Sequence, residues 1–204
     1  MKIIAVSGFI GSGKDTVAEY LVDNKGFRRE SFASALKDAV AAIFGWDRIL
    51  LEGQTPQART WREQVDSWWA NRLGMPNLTP RWVLQYWGTE VCRHGFHDDI
   101  WIASLEKKLH DNNQDLVISD ARFPNEFDML KKFHAQLVWV KRHPFPDWYY
   151  DACAANQGSM EAQQKLQQKN IHASETSWVG YKFDHEIEND FTLPYLYRRI
   201  DEII

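Results

Sequence analysis

A short run of small residues near the start of the chain has the spacing of a phosphate-binding loop. Gly8, Gly13 and Lys14 satisfy the pattern G-x-x-x-x-G-K. Small residues allow backbone N–H groups to curl around phosphate oxygens, and the lysine can reach the outer phosphates of a triphosphate. Chance explains the pattern poorly, since two glycines and a lysine at these offsets arise in a chain of this length with a probability of roughly 5%. The run is therefore predicted to bind phosphates.

One position differs from the common form of this pattern. Lys14 is followed by Asp15, where serine or threonine usually provides a magnesium ligand, and Thr16 comes one residue later. The Asp15 carboxylate has two interpretations. It either lies in the first turn of a helix, where the macrodipole favours negative charge, or it works with magnesium or orients a phosphoryl acceptor. The ending Lys-Asp-Thr resembles the loop of nucleoside monophosphate kinases, in which that threonine serves the phosphates and the metal shell.

The elements expected to position this loop flank it on both sides. Residues 3–6 form a continuous apolar run, typical of a parallel strand covered on both faces, and residues 17–22 show helical spacing. We further predict strands at 29–33, 116–118, 137–140 and 185–187, and helices at 35–44, 125–134 and 194–203. This alternation predicts an α/β fold with a central parallel sheet.

Two long segments interrupt the alternation. Residues 46–113 are predicted to be helical without a strand, and they include a tryptophan-rich helix at 57–73. Residues 143–178 begin with two prolines and have little apolar periodicity, which indicates a mobile flap with a polar helix at 159–169. Four apolar residues of the first segment are expected in the core: Trp61, Val65, Trp68 and Trp69.

Composition narrows the class of protein. With 44% hydrophobic residues the chain can bury a core, and a net charge of −4 without a basic stripe argues against a dedicated duplex-DNA binder. Cys92 and Cys153 lack metal-ligand spacing and are expected to stay reduced. The chain starts directly in a predicted strand and contains no apolar stretch of membrane-spanning length, so a cytoplasmic protein is expected.

Further segments resemble the bacteriophage deoxynucleoside monophosphate kinases. In chain order these are residues 81–90 (RWVLQYWGTE), 99–101 (DIW), 120–126 (DARFPNE), 172–175 (HASE) and 187–190 (IEND). Their shared order makes coincidence a poor explanation, and together with the loop they touch most of the chain. The resemblance implies a single P-loop kinase domain over residues 1–204, a three-layer fold with a central parallel sheet. Residues 46–113 would then form an acceptor-binding insertion and residues 143–178 a lid.

The resemblance also implies an activity and its site. The activity is ATP-dependent phosphorylation of deoxynucleoside 5′-monophosphates to diphosphates, with magnesium as the metal cofactor and small-molecule nucleotides as partners. The resemblance also implies a viral protein that acts in the cytoplasm of the host. No nucleic acid or membrane partner is expected, and a homodimer is left open. The ATP phosphate site would comprise Gly11, Ser12, Gly13, Lys14, Asp15 and Thr16, with Thr16 also the metal ligand. The acceptor site would comprise Arg81, Gly88, Thr89, Trp101, Asp120, Arg122 and Glu126, and catalysis would rest on Lys14, Asp15 and Arg122.

Elementary chemistry supports some of these assignments and leaves others open. Arg122 follows a predicted strand at its carboxyl end, where ligands bind in parallel sheets, and a guanidinium can hold a phosphate bidentately. Glycine within a helix is unfavourable, so Gly88 suggests close approach to a ligand. Asp120 either holds Arg122, joins the metal shell or caps a turn. Glu126 is either a ligand or a first-turn carboxylate, and Trp101 is either a base-stacking wall or core.

The chain also departs from the family pattern. Ile10 stands in the loop where some relatives have a basic residue, which makes Lys37 a candidate replacement. Lids of nucleotide kinases usually supply arginines over the transferring phosphoryl group. Residues 143–178 offer Lys165, Lys169 and His172 instead.

Three other functions are weighed against this one. A phosphate monoester acceptor needs no general base, because its second pKa is about 6. A deoxynucleoside kinase would need one for the sugar hydroxyl, and Asp120 or Asp15 could provide it. A kinase of a modified base in DNA is a more distant alternative. A non-catalytic ATP-binding switch would have no use for an acceptor pocket, so Asp120, Arg122 and the flap argue against it.

Overall fold

The structure, a computed structural model, describes residues 1–204. In chain order its elements are β1 (Ile3–Ser7), α1 (Lys14–Lys25), β2 (Arg28–Glu30), α2 (Ser34–Phe44), α3 (Arg48–Glu52), α4 (Pro56–Glu63), α5 (Ser67–Leu73), α6 (Pro80–Tyr86), a π-helical stretch (Trp87–His94), α7 (Ile100–His110), β3 (Leu116–Ile118), α8 (Pro124–Lys132), β4 (Gln136–Lys141), α9 (Tyr149–Asn156), α10 (Met160–Gln168), α11 (Ala173–Thr176), β5 (His185–Glu188) and α12 (Leu193–Asp201). None of the helices combines the length and the apolar composition needed to cross a membrane.

The five strands form one parallel sheet in the order β2-β3-β1-β4-β5. Every residue of β1 is buried, because this strand lies between β3 and β4 and is covered on both faces. Ile4 and Val6 pack with residues of α1 and α12, such as Leu21 and Leu196. Side chains alternate along a strand, so the buried Ile3 lies on the opposite face. The predicted α/β fold with a central parallel sheet is confirmed.

The chain divides into two compact units, residues 1–31 with 111–204, and residues 32–110. The first unit contains the whole sheet, and the second contains only helices. The second unit begins before the predicted insertion, at α2, and it ends with α7. Its core gathers Val40, Leu51, Leu78 and Val83 among aromatic side chains.

The tryptophan-rich segment differs from our prediction. The single helix expected over residues 57–73 is broken, because Gln64 is extended and Asp66 caps a new helix, α5. Trp61 and Trp69 pack against the core of the second unit, as expected. The prediction is wrong for Trp68, which is 62% exposed, and for Val65, which is about half exposed. The break rotates the two helices out of a common phase, so a single helical spacing no longer describes which residues point inward.

Asp66 is expected to be a large single contributor to the stability of the second unit. Its Oδ1 accepts a hydrogen bond from the Trp69 N–H at 3.0 Å, and its Oδ2 accepts one from the buried Trp46 Nε1 at 2.8 Å. Asp66→Ala removes the cap and leaves a buried indole N–H without a partner, which should cost on the order of 2–3 kcal/mol. Urea unfolding followed by tryptophan fluorescence measures this loss. Asp66→Asn keeps one acceptor and should lose less; equal losses would contradict this account.

The late segment, residues 143–178, packs more firmly than its composition suggested. It folds into α9, α10 and α11, and its aromatic side chains at positions 145, 149 and 178 surround Phe9 of the loop. Trp178 is only 1% exposed and lies 4.7 Å from Phe9, ring centre to ring centre. The expectation of a poorly packed flap is wrong for these ends. The aromatic residues are spaced irregularly, so a search for helical periodicity does not reveal them. Whether the segment moves as a lid stays a prediction.

Candidate active site

The loop between β1 and α1 has the backbone geometry of an anion-binding site. Gly11 and Gly13 have φ values of +79° and +98°, in the left-handed region that glycine adopts without strain. A Cβ on Gly8 would lie 2.6 Å from the carbonyl oxygen of Val140, so that position also requires glycine. Helix α1 begins at Lys14, and the first N–H groups of a helix have no partners within it. The loop therefore presents N–H groups and the positive end of the helix dipole together.

Lys14 is an unusual lysine because its side chain is buried. The residue is 8% exposed, and its Nζ lies 3.2 Å from Oδ2 of Asp15. Burial lowers the pKa of Lys14, and the nearby Arg122 guanidinium acts in the same direction, while Asp15 opposes both. Two cations that our sequence analysis assigned to catalysis thus lie close enough to repel one another. A site with this charge would favour a polyanion such as a nucleotide phosphate.

Asp15 connects the loop to a neighbouring strand end. Its carboxylate accepts a hydrogen bond from Arg29, which also donates to Ser119 Oγ at 2.8 Å. Burial alone would raise the pKa of Asp15, but Lys14 and Arg29 together hold it below its ordinary value. The carboxylate is therefore ionised and paired with protein cations. Sequence analysis missed Arg29, because its closeness to the loop depends on the strand order, which the sequence did not predict.

Two hydroxyl groups in the loop region suit phosphate and magnesium. The Ser12 Oγ is buried and makes no hydrogen bond within the protein, and such groups are normally satisfied by a partner. Thr16 lies in the first turn of α1 and is half-buried. Magnesium prefers oxygen ligands and usually combines a few protein oxygens with substrate phosphates and water. The hydroxyl oxygens of Ser12 and Thr16 are therefore of the kind that binds phosphate and magnesium.

Arg122 and Glu126 lie at the carboxyl end of β3, where α8 begins. Glu126 is 3% exposed, and its Oε2 accepts hydrogen bonds from the N–H groups of Arg122 at 2.6 Å and Phe123 at 3.1 Å. The first-turn interpretation of Glu126 is therefore the one that the geometry favours. The Arg122 guanidinium donates to Oε2 of Glu175 at 3.1 Å, in α11. Asp120 accepts a hydrogen bond from Ser31 at 2.6 Å.

The other predicted acceptor residues lie in the second unit. Arg81 pairs with Glu63 at 3.3 Å, and Thr89 is buried in the π-helical stretch. A Cβ on Gly88 would lie 2.9 Å from the Leu36 side chain, so the close approach that we expected from a ligand is made by Leu36. The Gly88 carbonyl accepts a hydrogen bond from Trp101 Nε1 at 2.9 Å. Trp101 also packs against the core of this unit, which favours its core interpretation.

The basic residues that were candidates to replace missing family cations are already paired or hydrogen-bonded within the protein. Lys37 is paired with Glu52 at 2.6 Å, which weakens it as a replacement for a basic loop residue. Lys165 and Lys169 pair with Glu161 and Asp147 at 2.8 Å. His172 caps α11 by accepting a hydrogen bond from the Ser174 N–H.

Arg142 is a further cation at the loop that sequence analysis did not assign. It directly follows β4, and its Nη1 donates to the carbonyl oxygen of Gly11 at 3.3 Å. Its place after a predicted strand was the available signal, but only the strand order of the structure shows that this strand lies beside β1.

Comparison with known proteins identifies the family. A protein of Acanthamoeba polyphaga mimivirus named as a deoxynucleotide monophosphate kinase is 34% identical over 156 residues, covering 70% of this chain and 75% of the viral protein. The chain belongs to the deoxynucleotide monophosphate kinase family. The deoxynucleoside-5′-monophosphate kinase of Escherichia phage T5 is 26% identical and covers 93% of this chain and 90% of its own. These kinases confirm the resemblance that the short segments indicated.

The chain was also compared with models of protein families and with solved structures. No family model matches the chain. Among solved structures, protein TT1252 from Thermus thermophilus aligns with 99% of this chain and 95% of its own, at 18% identity and a TM-score of 0.46.

Proposed function

We propose that this kinase transfers the γ-phosphoryl group of ATP to the phosphate of a deoxynucleoside 5′-monophosphate, forming a diphosphate and ADP. The observation that carries the proposal is that Lys14, buried in the loop after β1, and Arg122, after the paired strand β3, lie at neighbouring strand ends. One cation lies with the N–H groups of the loop, where a donor triphosphate would bind. The other lies at a neighbouring strand end, where an acceptor phosphate would bind. Direct transfer between two phosphates needs this pairing of charges.

Each residue has a distinct task in this mechanism. Lys14 and the loop N–H groups hold the outer phosphates of ATP, and Arg122 holds the acceptor phosphate and screens its charge from the donor. An acceptor phosphate oxygen forms a bond to the γ-phosphorus while the bond to the bridging oxygen of ADP breaks. No proton has to be removed, since the acceptor is largely ionised at neutral pH. Magnesium, held through Thr16, would supply charge neutralisation across the phosphates.

Arg122 must change partners during this cycle. In the structure its guanidinium is paired with Glu175 and also contacts the Ser174 carbonyl oxygen at 3.4 Å. A phosphate carries more negative charge than a carboxylate and offers more acceptor oxygens, so it can compete for the same donors. We infer that acceptor binding draws Arg122 away from Glu175.

A substrate panel tests the proposed function. The purified protein is incubated with ATP, magnesium and each of the deoxynucleoside monophosphates, ribonucleoside monophosphates and deoxynucleosides, and the products are separated by nucleotide chromatography. Diphosphates formed from the deoxynucleoside monophosphates support the proposal. Monophosphates formed only from deoxynucleosides would establish the nucleoside kinase instead. ATP bound without any product would favour the non-catalytic switch.

The late segment is expected to be protected from proteolysis when both nucleotides are bound. Lys165 and Lys169, in and after α10, are exposed cleavage sites for trypsin. A bisubstrate analogue that joins adenosine to a deoxynucleoside through phosphates should close residues 143–178 over the site and exclude water. Cleavage in this stretch should therefore slow markedly with the analogue, as read by mass spectrometry. Equal rates with and without the analogue would mean that the segment is no lid.

A further inference from the structure

Asn189 contacts the phosphate-binding loop from the far end of the sequence. It directly follows β5 and is 8% exposed. Its Nδ2 donates to the carbonyl oxygen of Ser12 at 2.8 Å, in a buried hydrogen bond between residues that are 177 positions apart. Its own backbone N–H donates to the carbonyl oxygen of Lys141 at 2.7 Å, which ties it to the end of β4. The side chain therefore contacts the loop from the ends of two paired strands, β4 and β5.

The contact of Asn189 leaves no room for a side chain at Gly13. A Cβ on Gly13 would lie 2.3 Å from Asn189 Nδ2, so any other residue would displace the amide. The positive φ of Gly13 is one reason for glycine at this position, and access for Asn189 is a second, independent one. The preceding carbonyl, that of Gly11, is in turn contacted by Arg142. Two side chains from neighbouring strand ends thus hold two successive carbonyl groups of the loop.

The contact fixes the direction of a backbone N–H group. A peptide unit is planar and trans, so its carbonyl oxygen and its N–H point in opposite directions. When Asn189 holds the Ser12 carbonyl, the N–H of Gly13 in the same peptide unit points away from Asn189. Asn189 is buried, so this N–H is directed away from the interior position that Asn189 occupies and is available to an incoming phosphate in our proposal. The adjacent residue, Lys14, starts α1 with its own N–H groups available.

We propose that Asn189 is a positioning residue for donor binding, which acts by holding the Ser12–Gly13 peptide in the orientation that binds phosphate. The proposal rests on the proposed function in so far as the loop must bind the phosphates of ATP. Asn189 itself touches no phosphate in this account. Only a side chain that donates a hydrogen bond can do this work, because its partner is a carbonyl oxygen. An aspartate of the same shape would place a carboxylate against that oxygen.

The decisive probe is inorganic tripolyphosphate, which has the phosphates of ATP without the nucleoside. Binding of tripolyphosphate and of ATP is measured by calorimetry for wild type, Asn189→Leu and Asn189→Asp, at a temperature where all three are folded. Both variants should bind tripolyphosphate about tenfold or more weakly, as expected for losing one positioned hydrogen bond. In kinetics the KM for ATP should rise while the KM for the deoxynucleoside monophosphate stays near the wild-type value. Asn112→Leu, which removes an exposed amide contact to Gln114, is the matched control and should bind normally.

The outcomes separate this proposal from the proposed function. Wild type that fails to bind tripolyphosphate and ATP would overturn the loop assignment itself. Wild type that binds, with folded Asn189 variants that bind equally well, would overturn the positioning role alone. A purely structural role predicts a lower Tm with unchanged tripolyphosphate affinity, and that result would also overturn it. Should Asn189→Leu fail to fold, the isosteric Asn189→Asp decides the question.

Discussion

Replacing Lys14 with methionine is expected to reduce phosphoryl transfer by on the order of a thousandfold, the cost of removing a positioned group that stabilises developing charge. The protein should nevertheless remain folded. Methionine retains the buried hydrocarbon stem of lysine and removes only the ammonium group, whose partner is Asp15. Asp15 keeps Arg29 as a second partner in the variant. Turnover is measured as ADP formation, and folding by circular dichroism.

We also expect the effect of Lys14→Met on stability to depend on pH. Burial lowers the pKa of Lys14 below its value in the unfolded chain. The folded state therefore disfavours the charged form of Lys14, and this lowers the free energy of unfolding at neutral pH. The loss fades as the pH rises toward the pKa of lysine in the unfolded chain, about 10.4. Lys14→Met should have a Tm equal to or above wild type at pH 7, and that advantage should shrink at pH 10.

Lys25 provides the control at the opposite end of the same helix. It is paired with Asp201 at 2.8 Å and lies at the last residue of α1. Lys25→Met should retain wild-type turnover. A folded Lys14→Met protein with wild-type turnover would contradict the assignment of the phosphate-binding loop. A large loss of Tm at pH 7 would contradict the account of Lys14 as a buried, disfavoured charge.

The loop could be predicted because all of its signals are local. The glycines, the lysine, the apolar strand before them and the helix after them lie within 25 residues of one another. The positive φ value of Gly13 explains why the pattern uses glycine there. The parallel sheet followed from the same kind of information, since continuous apolar runs alternate with helical spacing. Family membership was predictable because several short segments recur in a fixed order.

The groups that support the loop could not be predicted in this way. Asn189, Arg142 and Arg29 reach it from other strand ends, and Asn189 is separated from Ser12 by 177 positions. A parallel sheet collects the ends of distant strands at one edge, but the residues concerned share no spacing in the sequence. Predicting them requires the strand order. That order places β4 and β3 beside β1, with β5 and β2 next to them.

Errors in the prediction came from reading a single period over long stretches. The helix expected over residues 57–73 ignored Asp66, whose side chain is a strong helix-capping signal. The late segment was judged by helical periodicity, whereas its core contacts are made by aromatic residues on both sides of α10. A single large ring buries as much surface as several aliphatic side chains, so a few irregularly placed rings can anchor a segment.

Arg122→Ala is expected to damage use of the monophosphate far more than binding of ATP. Losing a charge-assisted contact to phosphate costs about 2–3 kcal/mol, which corresponds to roughly 30- to 150-fold in kcat/KM for the acceptor. The KM for the deoxynucleoside monophosphate should rise and kcat should fall. ATP binding should change little, because Arg122 only lowers the pKa of Lys14 by repulsion, so its removal leaves Lys14 positively charged. Steady-state kinetics with each substrate varied in turn separates these effects.

Glu175→Gln distinguishes a substrate contact from a structural ion pair. Glu175 is the carboxylate that pairs with Arg122 in the structure, at 3.1 Å. If Arg122 exchanges this partner for the acceptor phosphate, removing the charge of Glu175 should leave the acceptor KM unchanged or lower it. If the pair matters only as a link between α11 and the end of β3, Glu175→Gln and Arg122→Ala should reduce activity and Tm to a similar extent.

One outcome for Arg122→Ala would reverse the assignment of donor and acceptor sites: a collapse of ATP affinity with normal acceptor kinetics.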